Sequence, residues 1–169
     1  MGAAAVVEKF DHALRGKEGK YLTFALGEEE YGVEILKIRE IIGMMEVTTV
    51  PQMPHFVKGV INLRGKVIPV IDLRLRFGLE PKPYDERTCI IVAEVRGQGT
   101  RVQMGLVVDT VSEVVTITLE EMEVTPAFGV NVDTHYILGM AKLKGKVKIL
   151  LDIDKVLTET HWQEMVRVA

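Results

Sequence analysis

Two stretches of this chain repeat one another at a fixed distance, and that repetition constrains the fold more than any other feature. The segment Val57 to Leu73 returns as Ile137 to Ile153, with Gly59 and Gly139, Gly65 and Gly145, and Asp72 and Asp152 each separated by 80 positions. A second echo relates Tyr31 to Ile42 with Met104 to Val115, where Gly32 and Gly105 are separated by 73. The echoes keep the same order, so the change from 73 to 80 requires a seven-residue insertion, which fits the loop around Thr125 to Thr134. Self-similarity at so long a period points to a duplicated unit. Two related halves are predicted, over 20–77 and 87–157.

With 169 residues in all, each half of about 60–70 residues is too small to bury a sufficient core alone, so the halves must share buried surface. Hydrophobic residues make up 47% of the chain but aromatics only 6%, which leaves Val, Ile, Leu and Met as the apolar material. These residues suit strands and interfaces. A formal charge of −3 offers no positive field for phosphate backbones, and a single-strand-binding barrel would need a basic groove with exposed aromatics. Nucleic acid is therefore not the expected partner. No apolar run approaches the roughly 20 residues that span a bilayer, so direct membrane insertion is not expected either. The single cysteine, Cys89, forms no internal disulfide, and no basic, apolar leader opens the chain, which predicts a cytoplasmic location.

Residues 1–19 read as a flexible N-terminal arm. Strand chemistry begins at Tyr21 to Leu26, turns through Gly27 and the acidic triplet Glu28 to Glu30, and resumes at Tyr31. The triplet is expected to be a solvated hairpin tip, since no complementary ligand group stands near it in the sequence. The run Ile35 to Ile42 is apolar on both alternating faces and reads as a doubly buried strand, with Glu40 the exception to explain. Val50 to His55 carries two prolines and reads as a crossing loop. Phe56 to Leu63 and Lys66 to Leu73 form a predicted hairpin turned at Arg64-Gly65, where glycine supplies the positive φ of a tight turn. A short helical turn ends at Gly78. Glu80 to Glu86 is a proline-punctuated connector, after which the scheme repeats from Cys89, with turns at Gly97 to Gly99 and Lys144-Gly145. Asp154 is placed to cap a C-terminal helix over 155–167, its Val156, Leu157 and Met165 facing inward. Each half thus holds about five short strands, enough for a small closed barrel.

Catalytic and metal chemistry find no foothold. His12, His55, His135 and His161 lack ligand spacing, and there is neither a nucleophile elbow nor a phosphate-cradling glycine loop. Cys89 opens an aliphatic strand and suits a small packed hydrophobe. Asp72 and Asp152 occupy equivalent places after apolar strands, which suits a repeated capping role. No metal, cofactor or catalytic residue is assigned. The residues left over are Arg64 at a hairpin tip, Glu40 in an apolar run, and the aliphatic surplus of Ile38, Ile41, Val111 and Val114. This surplus fits either a core between the barrels or a groove for an apolar partner helix.

The motifs resemble those of a known family. Glu29 to Ile41, and Phe56 to Leu73 with its Lys58 to Gly65 stretch followed by Pro69 to Leu73, are similar to the bacterial chemotaxis coupling (adaptor) proteins of the CheW family, and Gly105 to Asp109 and Val111 to Val114 fit as well. The likeness runs over residues 20–160 and implies a single CheW-like domain. It implies a mainly β fold: two pseudo-symmetric five-stranded Src-homology-3-like β-barrels sharing a hydrophobic core, with a C-terminal helix and tail over 155–169. It further implies a non-catalytic scaffold without cofactors that links the cytoplasmic tip of methyl-accepting chemotaxis receptors to the regulatory domain of the histidine kinase CheA, in arrays at the membrane. An adaptor of a non-flagellar array, such as one for pilus motility, is the alternative. Carried over by position, the receptor-binding residues are Ile38, Glu40, Gly59, Arg64, Cys89, Val111 and Val114; the kinase-binding residues are not localised by the motifs. Cys89-Ile90 at the strand opening and the Val124 to His135 loop depart from the commonest pattern. A fused receiver domain, and hence a CheV-like chain, is not expected.

Overall fold

A computed structural model of the protein describes residues 14, 16–126 and 134–168. Most of the predicted arm and most of the predicted insertion loop lie outside the described residues. Among those described, the strands are β1 (Gly19–Leu26), β2 (Glu29–Glu34), β3 (Ile38–Gly43), β4 (Val57–Leu63), β5 (Lys66–Asp72), β6 (Cys89–Gly97), β7 (Thr100–Val108), β8 (Thr110–Ile117), β9 (Met122–Glu123), β10 (Ile137–Leu143) and β11 (Lys146–Leu151). They form a five-stranded sheet in the order β3-β6-β7-β5-β4 and a six-stranded sheet in the order β8-β1-β2-β11-β10-β9.

The sheets do not follow the predicted halves. Each sheet takes the opening hairpin of one half and the closing strands of the other, so the contiguous barrels drawn at 20–77 and 87–157 give way to two interleaved ones. Barrel one is β3, β4 and β5 with β6 and β7; barrel two is β8 to β11 with β1 and β2. A single residue, Asp109, separates β7 from β8. That is too short for a hairpin, which needs a loop of at least two residues, so the chain leaves one sheet and enters the other. Between β2 and β3 a 3-10 turn at Ile35–Lys37 does the same, which corrects the reading of 35–42 as one strand.

The duplication is nonetheless visible bond by bond. Val57 pairs with Ile71 and Gly59 with Val70 in the β4–β5 hairpin; Ile137 pairs with Leu151 and Gly139 with Leu150 in β10–β11, including the same shift of register. The parallel neighbours match too: Val70 lies opposite Gly105 as Leu150 lies opposite Gly32. Gly65 and Gly145 occupy equivalent turns, with Arg64 and Lys144 both left-handed at φ 53 and 52. Two left-handed central residues are what a right-twisted two-residue hairpin requires.

Strand alternation distributes the apolar side chains. Along β6, Ile90 and Val92 face a barrel-one interior with Ile61, Ile68, Val70 and Val107, while Ile91, Ala93 and Val95 face a larger core shared with Leu22, Phe24, Leu26 and Val33 of barrel two. Trp162 and Met165 of the C-terminal helix close that shared core. The helix runs over Glu159–Val168 rather than from 155, because the chain first makes a 3-10 turn at Ile153–Lys155. Asp152 caps that turn, as Asp72 caps the helix Leu73–Arg76. The cap of the C-terminal helix is Thr158, whose Oγ1 accepts from the His161 amide while His161 Nδ1 accepts from the Thr158 amide. Asp154, predicted to cap it, instead accepts from the Arg96 amide and pairs with Lys37.

Candidate functional site

The two polar residues that resisted an explanation in the sequence meet in the structure. An Arg64 guanidinium nitrogen donates to Glu40 Oε1 at 2.5 Å. Arg64 sits on the β4–β5 turn, whose geometry Asn62 secures by accepting the Gly65 amide at 2.8 Å. Glu40 projects from β3, at the opposite edge of the same sheet. The ion pair therefore joins the two edges of barrel one. The Arg64 side chain remains 71% exposed, so its charge is largely available to a partner.

The aliphatic surplus divides along β3 and β8. Ile38 and Val111, equivalent by the 73-residue separation, are half-buried against the shared core. Ile41 and Val114, also equivalent, are 43% and 52% exposed. One apolar pair is thus packing and the other is surface. The five-stranded sheet carries Ile38, Glu40, Gly59, Arg64 and Cys89, and the six-stranded sheet carries Val111 and Val114. Of the predicted set, a direct contact joins Glu40 and Arg64.

Gly59 and Cys89 are held by packing. Gly59 is buried at φ +142, and a Cβ there would stand 2.0 Å from the Thr48 carbonyl oxygen. The close approach belongs to the Thr48–Val60 bridge that extends barrel one past β4. Cys89 packs against the shared core opposite Gly43, its Sγ donating to the Arg87 carbonyl at 3.2 Å. The acidic triplet departs from expectation, since β2 takes up both Glu29 and Glu30. Glu30 lies in β2, and its carboxylate accepts from Lys148 and from Ser112 rather than standing in solvent. Among the described residues no group of three or more His, Cys, Asp or Glu side chains is placed to hold a metal.

Among the described residues, the most exposed large apolar side chain escaped the sequence reading. Leu36, 88% exposed, stands on the 3-10 turn between β2 and β3. Its counterpart by the 73-residue separation is Asp109, whose carboxylate accepts from Arg74 and from the Gly27 amide, both at 2.7 Å. A leucine opposite an aspartate in the repeat was the available signal.

Comparison with known proteins identifies the family. The CheW-like domain family matches residues 20–161. The chain belongs to the CheW family. It is 43% identical over 158 residues to the chemotaxis protein CheW of Klebsiella aerogenes, covering 94% of this chain and 92% of that one. It is 35% identical to the chemotaxis protein CheW of Thermotoga maritima, over 88% of this chain and 93% of the relative. The crystal structure of the scaffolding protein TtCheW from Thermoanaerobacter tengcongensis matches with a TM-score of 0.74 at 35% identity, covering 84% of this chain and 95% of that one.

Within the CheW family the mainly β, two-sheet architecture is therefore shared, and the two relatives compared above are chemotaxis proteins. Among the described residues no helix is long and apolar enough to cross a membrane.

Proposed function

We propose that this CheW-family protein is a non-catalytic adaptor that links the cytoplasmic tip of methyl-accepting chemotaxis receptors to the regulatory domain of the histidine kinase CheA. It would work in the cytoplasm, recruited to membrane-associated receptor arrays. The observation that carries the receptor half of this reading is the Glu40–Arg64 pair: a largely exposed charge on a rigid turn, held on the same barrel as the exposed Ile41. Interfaces of this kind combine an apolar anchor with oriented charge. In this reading Glu40, Arg64 and Val114 contact the receptor, Ile38 and Val111 support them from the shared core, and Gly59 and Cys89 hold the backbone in place. A transient signalling contact of modest area is expected.

The test is pull-down of a receptor tip fragment and of the CheA regulatory domain, with the parent chain and with Arg64→Ala. The parent should hold both partners at once, and Arg64→Ala should lose receptor while retaining kinase. Receptor capture and kinase activation by Arg64→Ala at the parent level would remove this turn from the interface. Competition between saturating receptor fragment and the regulatory domain would refute the adaptor arrangement itself.

A further inference from the structure

The repeat allows the interiors of the two barrels to be compared position by position. Barrel one is filled by Ile61, Ile68, Val70 and Val92 with their aliphatic neighbours. The corresponding residues of barrel two are Ala141, Lys148 and Leu150 by the 80-residue separation, and Thr23, which lies opposite Gly32 as Val92 lies opposite Gly105. Lys148, only 7% exposed, thus stands where barrel one has a core isoleucine. Burying an ammonium is costly unless it is paired, and here Glu30 pairs with it. Barrel two has therefore exchanged an apolar end for a charged one.

At that end opens a groove of about 470 Å³. Lys144, Lys146 and Lys148, all from the β10–β11 hairpin, supply one wall. Glu113 of β8 and Glu121 of the 3-10 turn Leu119–Glu121 supply the other, Glu121 Oε1 accepting from the Thr118 amide and hydroxyl, and Val115 and Leu143 add apolar lining. Lys142 pairs with Glu123 and Lys148 with Glu30, but among the described residues no ion pair joins Lys144 or Lys146 to Glu113 or Glu121. The groove is polarised, with walls of opposite sign held apart. The equivalent charges of barrel one, Glu40 and Arg64, by contrast form an ion pair with each other while Arg64 stays largely exposed.

We propose that this groove is a second protein-docking surface, distinct from the Glu40–Arg64 face, and that its occupant is a partner segment with an apolar stripe flanked by acidic side chains on one side and basic side chains on the other. Charge complementarity selects that occupant: a carboxylate answers the lysine wall, a cation answers Glu113 and Glu121, and an apolar side chain meets Val115 and Leu143. A uniform polyanion, whether nucleic acid or an anionic bilayer, is repelled by the glutamate wall. Such patterned charge serves specificity and register.

The test is an NMR titration of the isotopically labelled full chain with three probes: a helical peptide of about 14 residues carrying Glu and Lys on opposite sides of a Leu stripe, polyglutamate, and phosphatidylglycerol vesicles. The peptide should shift amides confined to 113–121 and 143–148 and bind at least tenfold tighter than polyglutamate. Combining Lys144→Glu with Lys146→Glu should weaken it at least tenfold, while Lys66→Glu, at the equivalent of Lys146 on barrel one, leaves it unchanged; all three side chains are exposed, so these variants keep the fold. The proposal is overturned if the peptide shifts no amides in those segments, if polyglutamate or vesicles bind as well as the peptide, or if the double variant binds like the parent.

Discussion

The two equivalent hairpin turns provide an internal control for the energy of the Glu40–Arg64 pair. Arg64 and Lys144 hold nearly the same left-handed backbone, at φ 53 and 52, but only Arg64 is salt-bridged to a glutamate. A left-handed non-glycine residue costs roughly 1–2 kcal/mol. Glycine at either position removes that strain and gives back about 0.4–1 kcal/mol through the freer unfolded chain. Those two effects are common to both turns and cancel in the comparison. What remains for Arg64→Gly is loss of an ion pair whose members are 71% and 30% exposed; such a pair is worth about 0.2–1 kcal/mol. Lys144→Gly should therefore be neutral to about 1.6 kcal/mol stabilising, and Arg64→Gly should fall below it by about 0.2–1 kcal/mol, with unchanged m in urea denaturation. Receptor binding should be lost in Arg64→Gly despite nearly parental stability. A deficit of Arg64→Gly relative to Lys144→Gly above about 2 kcal/mol would show that the pair is a structural clamp and would refute the reading of Arg64 as a surface charge.

Further outcomes follow from other sites. Gly59→Ala, whose Cβ would stand 2.0 Å from the Thr48 carbonyl oxygen, should cost at least about 3 kcal/mol by thermal or urea denaturation. Ile38→Ala should cost about 1–3 kcal/mol, below the full-burial range because Ile38 is half-buried, whereas Val114→Ser should change stability by under about 0.5 kcal/mol and be read only in receptor affinity. Lys148→Met restores barrel one's apolar pattern, and Glu30, one-third exposed, rehydrates; stability should be equal to or above that of the parent. Burial, with the Arg76 guanidinium and His55 adding to it, depresses the His161 pKa below its ordinary 6.5. The unfolded chain therefore binds a proton that the native chain refuses, so stability should fall as pH drops below about 6.5 and level off below the folded pKa; His161→Asn should flatten that slope in denaturation series from pH 7 to 5.

The duplicated unit, the two hairpins turned at Arg64-Gly65 and Lys144-Gly145, and the capping aspartates at 72 and 152 were all legible in the sequence. The hairpins and caps depend on residues within a few positions of one another, since turn chemistry and capping are local, and the duplication is read by setting the sequence against itself. The helix start was misplaced because Asp154 is taken up by the Arg96 amide and Lys37, residues distant in the chain, and the cap falls on Thr158 instead. Tertiary structure alone decided which half supplies which strands, because the free edge of a hairpin offers the same donors and acceptors to any neighbour. The missing turn at Asp109 was the one sequence clue to the exchange. That exchange in turn decided that Glu40 would meet Arg64, that Ile38 and Val111 would pack while Ile41 and Val114 face solvent, and that Lys148 would lie buried beside Glu30. Exposure and ion pairing are properties of neighbours distant in the chain, and composition and periodicity carry no record of who those neighbours are.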